Sequence, residues 1–120
     1  MADHNDFGKI GEDIVVDYLI EKGYEVLCRN FRYLKAEIDI IARFQDQIII
    51  IEVKARKNVY FGNPEEAVNE KKRKLLIQAA DYYLNKESLT EDIRFDIISV
   101  INKNKVYEII HIENAFDSIH

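Results

Sequence analysis

The stretch Ile48 to Ala55 constrains the fold more than any other. It reads Ile-Ile-Ile-Ile-Glu-Val-Lys-Ala, a β-branched run suited to a buried strand and interrupted only by Glu52 and Lys54. Strand side chains alternate between faces, so Glu52 and Lys54 project from one face while Ile49, Ile51 and Val53 project from the other. An unpaired charge inside a sheet is costly, so these two side chains need each other, a further partner or a task.

The neighbouring segments supply the rest of a sheet. Tyr24 to Phe31, Glu37 to Phe44, Ile93 to Asn102 and Val106 to Glu113 are rich in strand formers, the last two separated by the turn-like Lys103-Asn104-Lys105. Phe7, Ile10, Ile14 and Tyr18, with Val15 and Leu19, recur at helical spacing, which predicts a helix over about Asp6 to Lys22 stopped by Gly23. Gly62-Asn63-Pro64 breaks the pattern, and Pro64 with Glu65 and Glu66 suits the start of a second helix. Val68, Leu75, Ala79, Tyr82 and Tyr83 trace its apolar face as far as about Lys86. The expected order is αβββαββ: an α/β fold with a mixed central sheet flanked by two helices.

With 120 residues, 48% of them hydrophobic, the chain can build one core and not two, so a single domain over 1–120 is expected. The N-terminal residues lack the basic and apolar regions of a secretory signal, and the longest apolar run, Ile48 to Ile51, is far too short to span a bilayer. A lone cysteine, Cys28, forms no internal disulfide and reads as a small apolar strand residue, which suits a reducing, cytoplasmic setting. The net charge of −5 argues against a protein that coats nucleic acid by bulk attraction. That sum is uneven. Residues 29–74 carry 11 Lys/Arg against 7 Asp/Glu, a net +4, which leaves −9 for the remainder.

The strand before Ile48 places Glu37 and Asp39 on one face among Ile38, Ile40 and Ile41. A two-residue loop at Gln45-Asp46 would set Asp39 opposite Glu52, and a loop at Asp46-Gln47 would set it opposite Lys54. Both arrangements keep the three charges together, an unbulged three-residue loop would not, and the absence of glycine here leaves the turn type open. Two carboxylates on neighbouring strands form a hard-oxygen site suited to Mg²⁺ or Mn²⁺. A lysine beside them can orient a water or stabilise charge developing on a phosphate. The alternative is a structural ion pair with one spare carboxylate.

Glu37-Ile38-Asp39 followed by Glu52-Val53-Lys54 resembles the D…(D/E)-x-K signature of the PD-(D/E)-x-K, restriction-endonuclease-like superfamily. Gly11-Glu12, Arg29-Asn30-Phe31, Arg56, Phe61-Gly62, Ala67-Val68, Lys72 and Arg94-Phe95-Asp96 extend the likeness over nearly the whole chain. The chain thus resembles the YraN family of uncharacterised bacterial proteins, related to archaeal Holliday-junction resolvases. One departure is Ala36, where the family usually has Gly. The resemblance implies Asp39, Glu52 and the Val53 carbonyl as metal ligands, Lys54 as the catalytic lysine, and Glu12 completing the site.

The same resemblance implies Mg²⁺-dependent or Mn²⁺-dependent hydrolysis of DNA, branched or junction DNA included, by a homodimer. A nucleic-acid-binding module that does not cut efficiently and a scaffold with a merely structural charge cluster are the rival functions. Arg56, Lys57, Lys71, Lys72 and Lys74 are the candidate phosphate contacts. Lys72 falls within the apolar arc of the second helix, where its stem could equally cover apolar surface. Gln78 and Tyr82, one turn apart, read as a surface amide and a core tyrosine. Asp96 reads as structural, pairing with neighbouring strands, and no role is assigned to His4, His111 or His120.

Overall fold

The computed structural model describes residues 3–57 and 68–117, with side chains from residue 7 onward. Its elements are α1 (Asp3–Glu21), β1 (Glu25–Tyr33), β2 (Ala36–Phe44), β3 (Gln47–Arg56), α2 (Glu70–Lys86), β4 (Asp92–Lys103) and β5 (Val106–Phe116). The expected αβββαββ order is present, and Phe61-Gly62, Pro64 to Glu66 and Ala67 lie outside the described residues. The five strands form one mixed sheet in the order β1-β2-β3-β4-β5. Every pairing is antiparallel except that of β3 with β4, which α2 connects as a parallel crossover requires.

The β2–β3 loop is the two-residue turn Gln45-Asp46. Phe44 faces Gln47 and Ile40 faces Ile51, the register that carries Asp39 toward Glu52. Gln45 takes the left-handed φ of 55° that such a tight hairpin demands, without a glycine.

The sheet separates two cores. One packs Ile38, Ile41, Ile48, Ile50, Phe95 and Ile97 against Leu76, Ala79, Ala80, Tyr83 and Leu84 of α2. The other packs Ile40, Ala42, Ile49, Ile51, Ile98 and Val100 against Val15 and Leu19 of α1. Burial of aliphatic side chains on both faces is what the continuous isoleucine run required.

The helix faces differ from the periodicity reading. In α1 the buried line is Gly11, Val15 and Leu19, and Ile10 is 44% exposed. Gly11 explains the rotation: a Cβ there would meet the Ala55 Cβ at 3.1 Å, so the helix comes closest to β3 where it has no side chain. In α2 the buried line is Leu76, Ala79, Ala80, Tyr83 and Leu84. Tyr82, expected in the core, is 43% exposed and stacks on Tyr33 at 4.2 Å.

The second helix also begins later than Pro64 suggested. Val68 is buried but not helical, and Asn69 at φ −76° and ψ 175° is the N-cap, its side chain accepting the Lys72 N–H at 2.9 Å. That bond satisfies one of the backbone donors a helix start leaves open, which a proline cannot do. Ala36 lies in the α2-facing core, 7% exposed, without the left-handed backbone that would call for glycine.

Candidate active site

Asp39 sits where β2 stops alternating. Ile38 and Ile41 both belong to the α2-facing core while Ile40 and Ala42 belong to the other, so the strand turns over between Ile38 and Ile40. On β1 the matching point is Asn30, whose left-handed φ of 55° suits an asparagine. Glu37 is turned away, pairing at 3.5 Å with Arg32 near the surface, and is not part of the cluster. The paired residues of β2 and β3 end at Ile40 and Ile51, and the Val53 N–H donates instead to Asp39 Oδ2 at 2.8 Å. The carboxylate of β2 is thereby anchored directly to the Glu52-Val53-Lys54 segment.

Glu52 is 7% exposed, on the α2-facing side with Ile50 and Ile97. Two ammonium groups meet its Oε2: Lys54 at 3.5 Å from its own strand and Lys72 at 2.5 Å from α2. Lys72 precedes Leu76 and Ala80 at helical spacing, so the buried face of α2 aims it at the sheet. The helical pattern in the sequence carried that signal, since Lys72 also falls within the arc traced from Val68, Leu75 and Ala79.

The field of the cluster appears in its protonation. Burial pushes the Asp39 carboxyl up, Glu52 beside it pushes further, and Glu12 adds to the shift. The Val53 N–H and Lys72 oppose the change, and the carboxyl ends at about 7. Burial works against the Lys72 charge, yet the bond to Glu52 overcomes it and holds the ammonium above its ordinary value.

Glu12 approaches from the other side of the sheet. Its Oε1 accepts bonds from Arg29 Nε at 3.1 Å, Arg29 Nη2 at 2.9 Å and Asn30 Nδ2 at 3.2 Å. It acts on Asp39 through its field while these donors hold it. Among the described residues no three His, Cys, Asp or Glu side chains converge to hold a metal ion. The carboxylates that lie close together are therefore Asp39 and Glu52. Arg56 is half-buried, while Lys57, Lys71 and Lys74 are exposed.

Ser99 was not foreseen. It faces Lys54 across the parallel β3–β4 register, on the same side of the sheet, and is 1% exposed. Among the described residues its Oγ has no hydrogen-bond partner. A serine in an apolar strand carries no sequence signal of this kind, because its isolation arises from neighbours on other elements.

Asp96, by contrast, is fully partnered. It accepts two bonds from Arg94, at 2.9 and 2.7 Å, one from His111 Nε2 at 2.7 Å and one from the Asn114 N–H at 3.0 Å. A carboxylate only accepts, so His111 donates from Nε2, while its Nδ1 lies 2.9 Å from the Tyr18 hydroxyl. Arg94 also donates to the Tyr24 hydroxyl at 2.8 Å. The structural pairing expected for Asp96 is present, with His111 as an unforeseen member.

Residues 11–100 match the family described as uncharacterised protein family UPF0102. A UPF0102 protein of Phocaeicola vulgatus is 48% identical over 97% of this chain and 96% of its own length. One from Flavobacterium psychrophilum is 46% identical over 97% and 98%, and one from Clostridioides difficile 48% over 91% and 95%. This chain belongs to family UPF0102. The YraN resemblance read from the motifs is thus the family itself. Like the site residues, the α/β sheet with its two helices lies almost wholly inside or beside the matched span. No helix among the described residues is long and apolar enough to cross a membrane.

Proposed function

We propose that this UPF0102 protein is a cytoplasmic, divalent-metal-dependent endonuclease that hydrolyses DNA phosphodiester bonds, with branched or junction DNA as its substrate class. The observation that carries the reading is the convergence of Asp39, Glu52, Lys54 and Lys72 in one half-buried cluster at the splayed end of β2 and β3. Burial, with Glu52 beside it, holds the Asp39 carboxyl near pH 7, and a cation bound there would relieve both.

The residues fit Mg²⁺ or Mn²⁺. Such ions take oxygen ligands, are commonly held by one or two carboxylates, and keep several waters. Asp39 and Glu52 with the Val53 carbonyl would hold the ion, and the Ser99 hydroxyl, which has no partner among the described residues, marks polar capacity nearby. The ion would neutralise phosphate charge and activate a water. Lys54 and Lys72 place two ammonium groups at the same spot, suited to charge developing on a phosphate in the transition state. Glu12, held by Arg29 and Asn30, tunes Asp39 from the α1 side. A homodimer would match the two-fold character of a junction.

The test is incubation of the purified protein with labelled four-way junction, single-stranded and duplex DNA, with Mg²⁺ or Mn²⁺. Products should form, and Glu52→Ala or Lys54→Ala should reduce the rate by about 100-fold or more. Binding without cleavage in the native protein would replace the nuclease by a binding module. A melting temperature indifferent to divalent ions, together with no DNA binding, would leave only a structural charge cluster.

A further inference from the structure

The end of β3 beyond the cluster leads into a second polar feature. Arg56 lies beside Ile101 in the parallel register, so Lys57 falls at the level of Asn102. Lys57, Asn102, Lys103, Asn104 and Lys105 line a solvent-facing cavity of about 560 Å³. Three ammonium groups and two carboxamides face that space, and no carboxylate is among its described lining residues. In a chain of net charge −5 this is a local reversal of sign.

The cavity is built on a tight turn. Asn104 and Lys105 both adopt left-handed backbone, φ 51° and 69°, as the two central residues of the β4–β5 hairpin. The Asn102 Oδ1 accepts the Lys105 N–H at 2.9 Å, which engages its oxygen and leaves Nδ2 as the donor end. Lys103 also meets Glu108 at 3.0 Å, but both side chains are more than half exposed, and such a pair yields readily to a stronger anion.

We propose that this pocket at the β4–β5 turn is a phosphate site that grips the backbone of the nucleic acid whose scissile bond lies at Asp39 and Glu52. The proposal rests on the nuclease reading for its substrate and deepens it by setting a minimum length. Lys57, just past the end of β3, follows Lys54 by three residues, at most about 10 Å at ~3.3 Å per residue. That distance corresponds to about three steps of one DNA strand at ~3.4 Å each. Lysine and asparagine donors suit phosphate without reading bases, so the contact positions the strand and confers no sequence preference.

The experiment measures binding of labelled DNA without divalent ions, across a salt series, for the native protein and for a Lys57→Gln, Lys103→Gln, Lys105→Gln variant whose melting temperature is checked. Binding should weaken about ten-fold or more at ~0.1 M salt, and the log–log salt slope should become shallower by about two. Oligonucleotides trimmed to fewer than about three nucleotides on the pocket side of the cut should lose the difference between the two proteins. Unchanged affinity and slope in the variant, with cleavage by the native protein intact, would overturn the pocket and leave the nuclease standing. Pocket-dependent binding with no cleavage would overturn the nuclease and leave the pocket. Inorganic phosphate that perturbs the amide signals of Lys57 and Lys105 where DNA does not would assign the pocket to a free anion and overturn the backbone contact.

Discussion

Asp39 and Asp96 are both carboxylates on inner strands of the same sheet, and their surroundings drive them in opposite directions. Burial favours the neutral form of each. At Asp96 the bonds from His111, Arg94 and the Asn114 N–H outweigh it and hold the carboxyl below its usual range. At Asp39 burial, Glu52 and Glu12 outweigh one backbone N–H donor and the more distant field of Lys72, and the carboxyl rises to about 7. The first site has every lone pair answered from within the chain. The second crowds two carboxylates whose two ammonium neighbours both meet Glu52, and nearby, among the described residues, a buried hydroxyl has no partner. A closed network holds a fold together, whereas an open one is finished by something that binds.

The largest effect should come from breaking the closed network. Asp96→Ala leaves the Arg94 guanidinium, 12% exposed, with only the exposed Glu113 carboxylate at 3.5 Å, and strips His111 and the Asn114 N–H of their acceptor, so it should cost about 3–5 kcal/mol, read by urea unfolding. A loss below about 1 kcal/mol would remove the contrast between the two sites.

A smaller effect of opposite sense is expected at Asp39. Its folded pKa lies above the ordinary value of 3.8, so the folded state binds the extra proton and this contribution is fully present below about pH 4. Stability should then fall by about 1 kcal/mol per pH unit as pH rises toward 7 in the absence of divalent ions. Asp39→Asn keeps an acceptor for the Val53 N–H and should flatten that slope, together with any stabilisation by Mg²⁺. A native protein whose metal-free stability is level from pH 4 to 7, once other groups are matched by the variant, would refute the crowding of Asp39 with Glu52.

The smallest change is at Ser99. Replacing an unsatisfied buried hydroxyl removes a desolvation cost of about 1–3 kcal/mol but leaves a small void, so Ser99→Ala should be neutral or stabilising by about 1 kcal/mol without metal. Destabilisation by more than about 1 kcal/mol would mean that the hydroxyl is bonded and the site is closed like that of Asp96.

Much of this was legible beforehand. The isoleucine run with Glu52 and Lys54 announced a doubly covered strand, and strand periodicity placed both charges on one face. The start of α2 was not legible, because the asparagine cap at Asn69 outweighs the proline signal at Pro64. Nor was the rotation of α1, since Gly11 contributes to packing through what it lacks. Glu12 was expected to complete the cluster, and the structure instead places it under Arg29 and Asn30.

Sequence by itself determined the two faces of β3 and, through a two-residue loop, the approach of Asp39 to Glu52, because period-two alternation and hairpin register are local properties of the backbone; the break in alternation that parts Glu37 from Asp39 came from the fold. Only the tertiary structure decided that Lys72 reaches Glu52, that Ser99 is left without a partner, and that Asp39 and Asp96 titrate in opposite directions. Those outcomes depend on charges and donors brought together from distant parts of the chain, and electrostatic interactions inside a protein are set by spatial neighbours and burial rather than by position along the sequence.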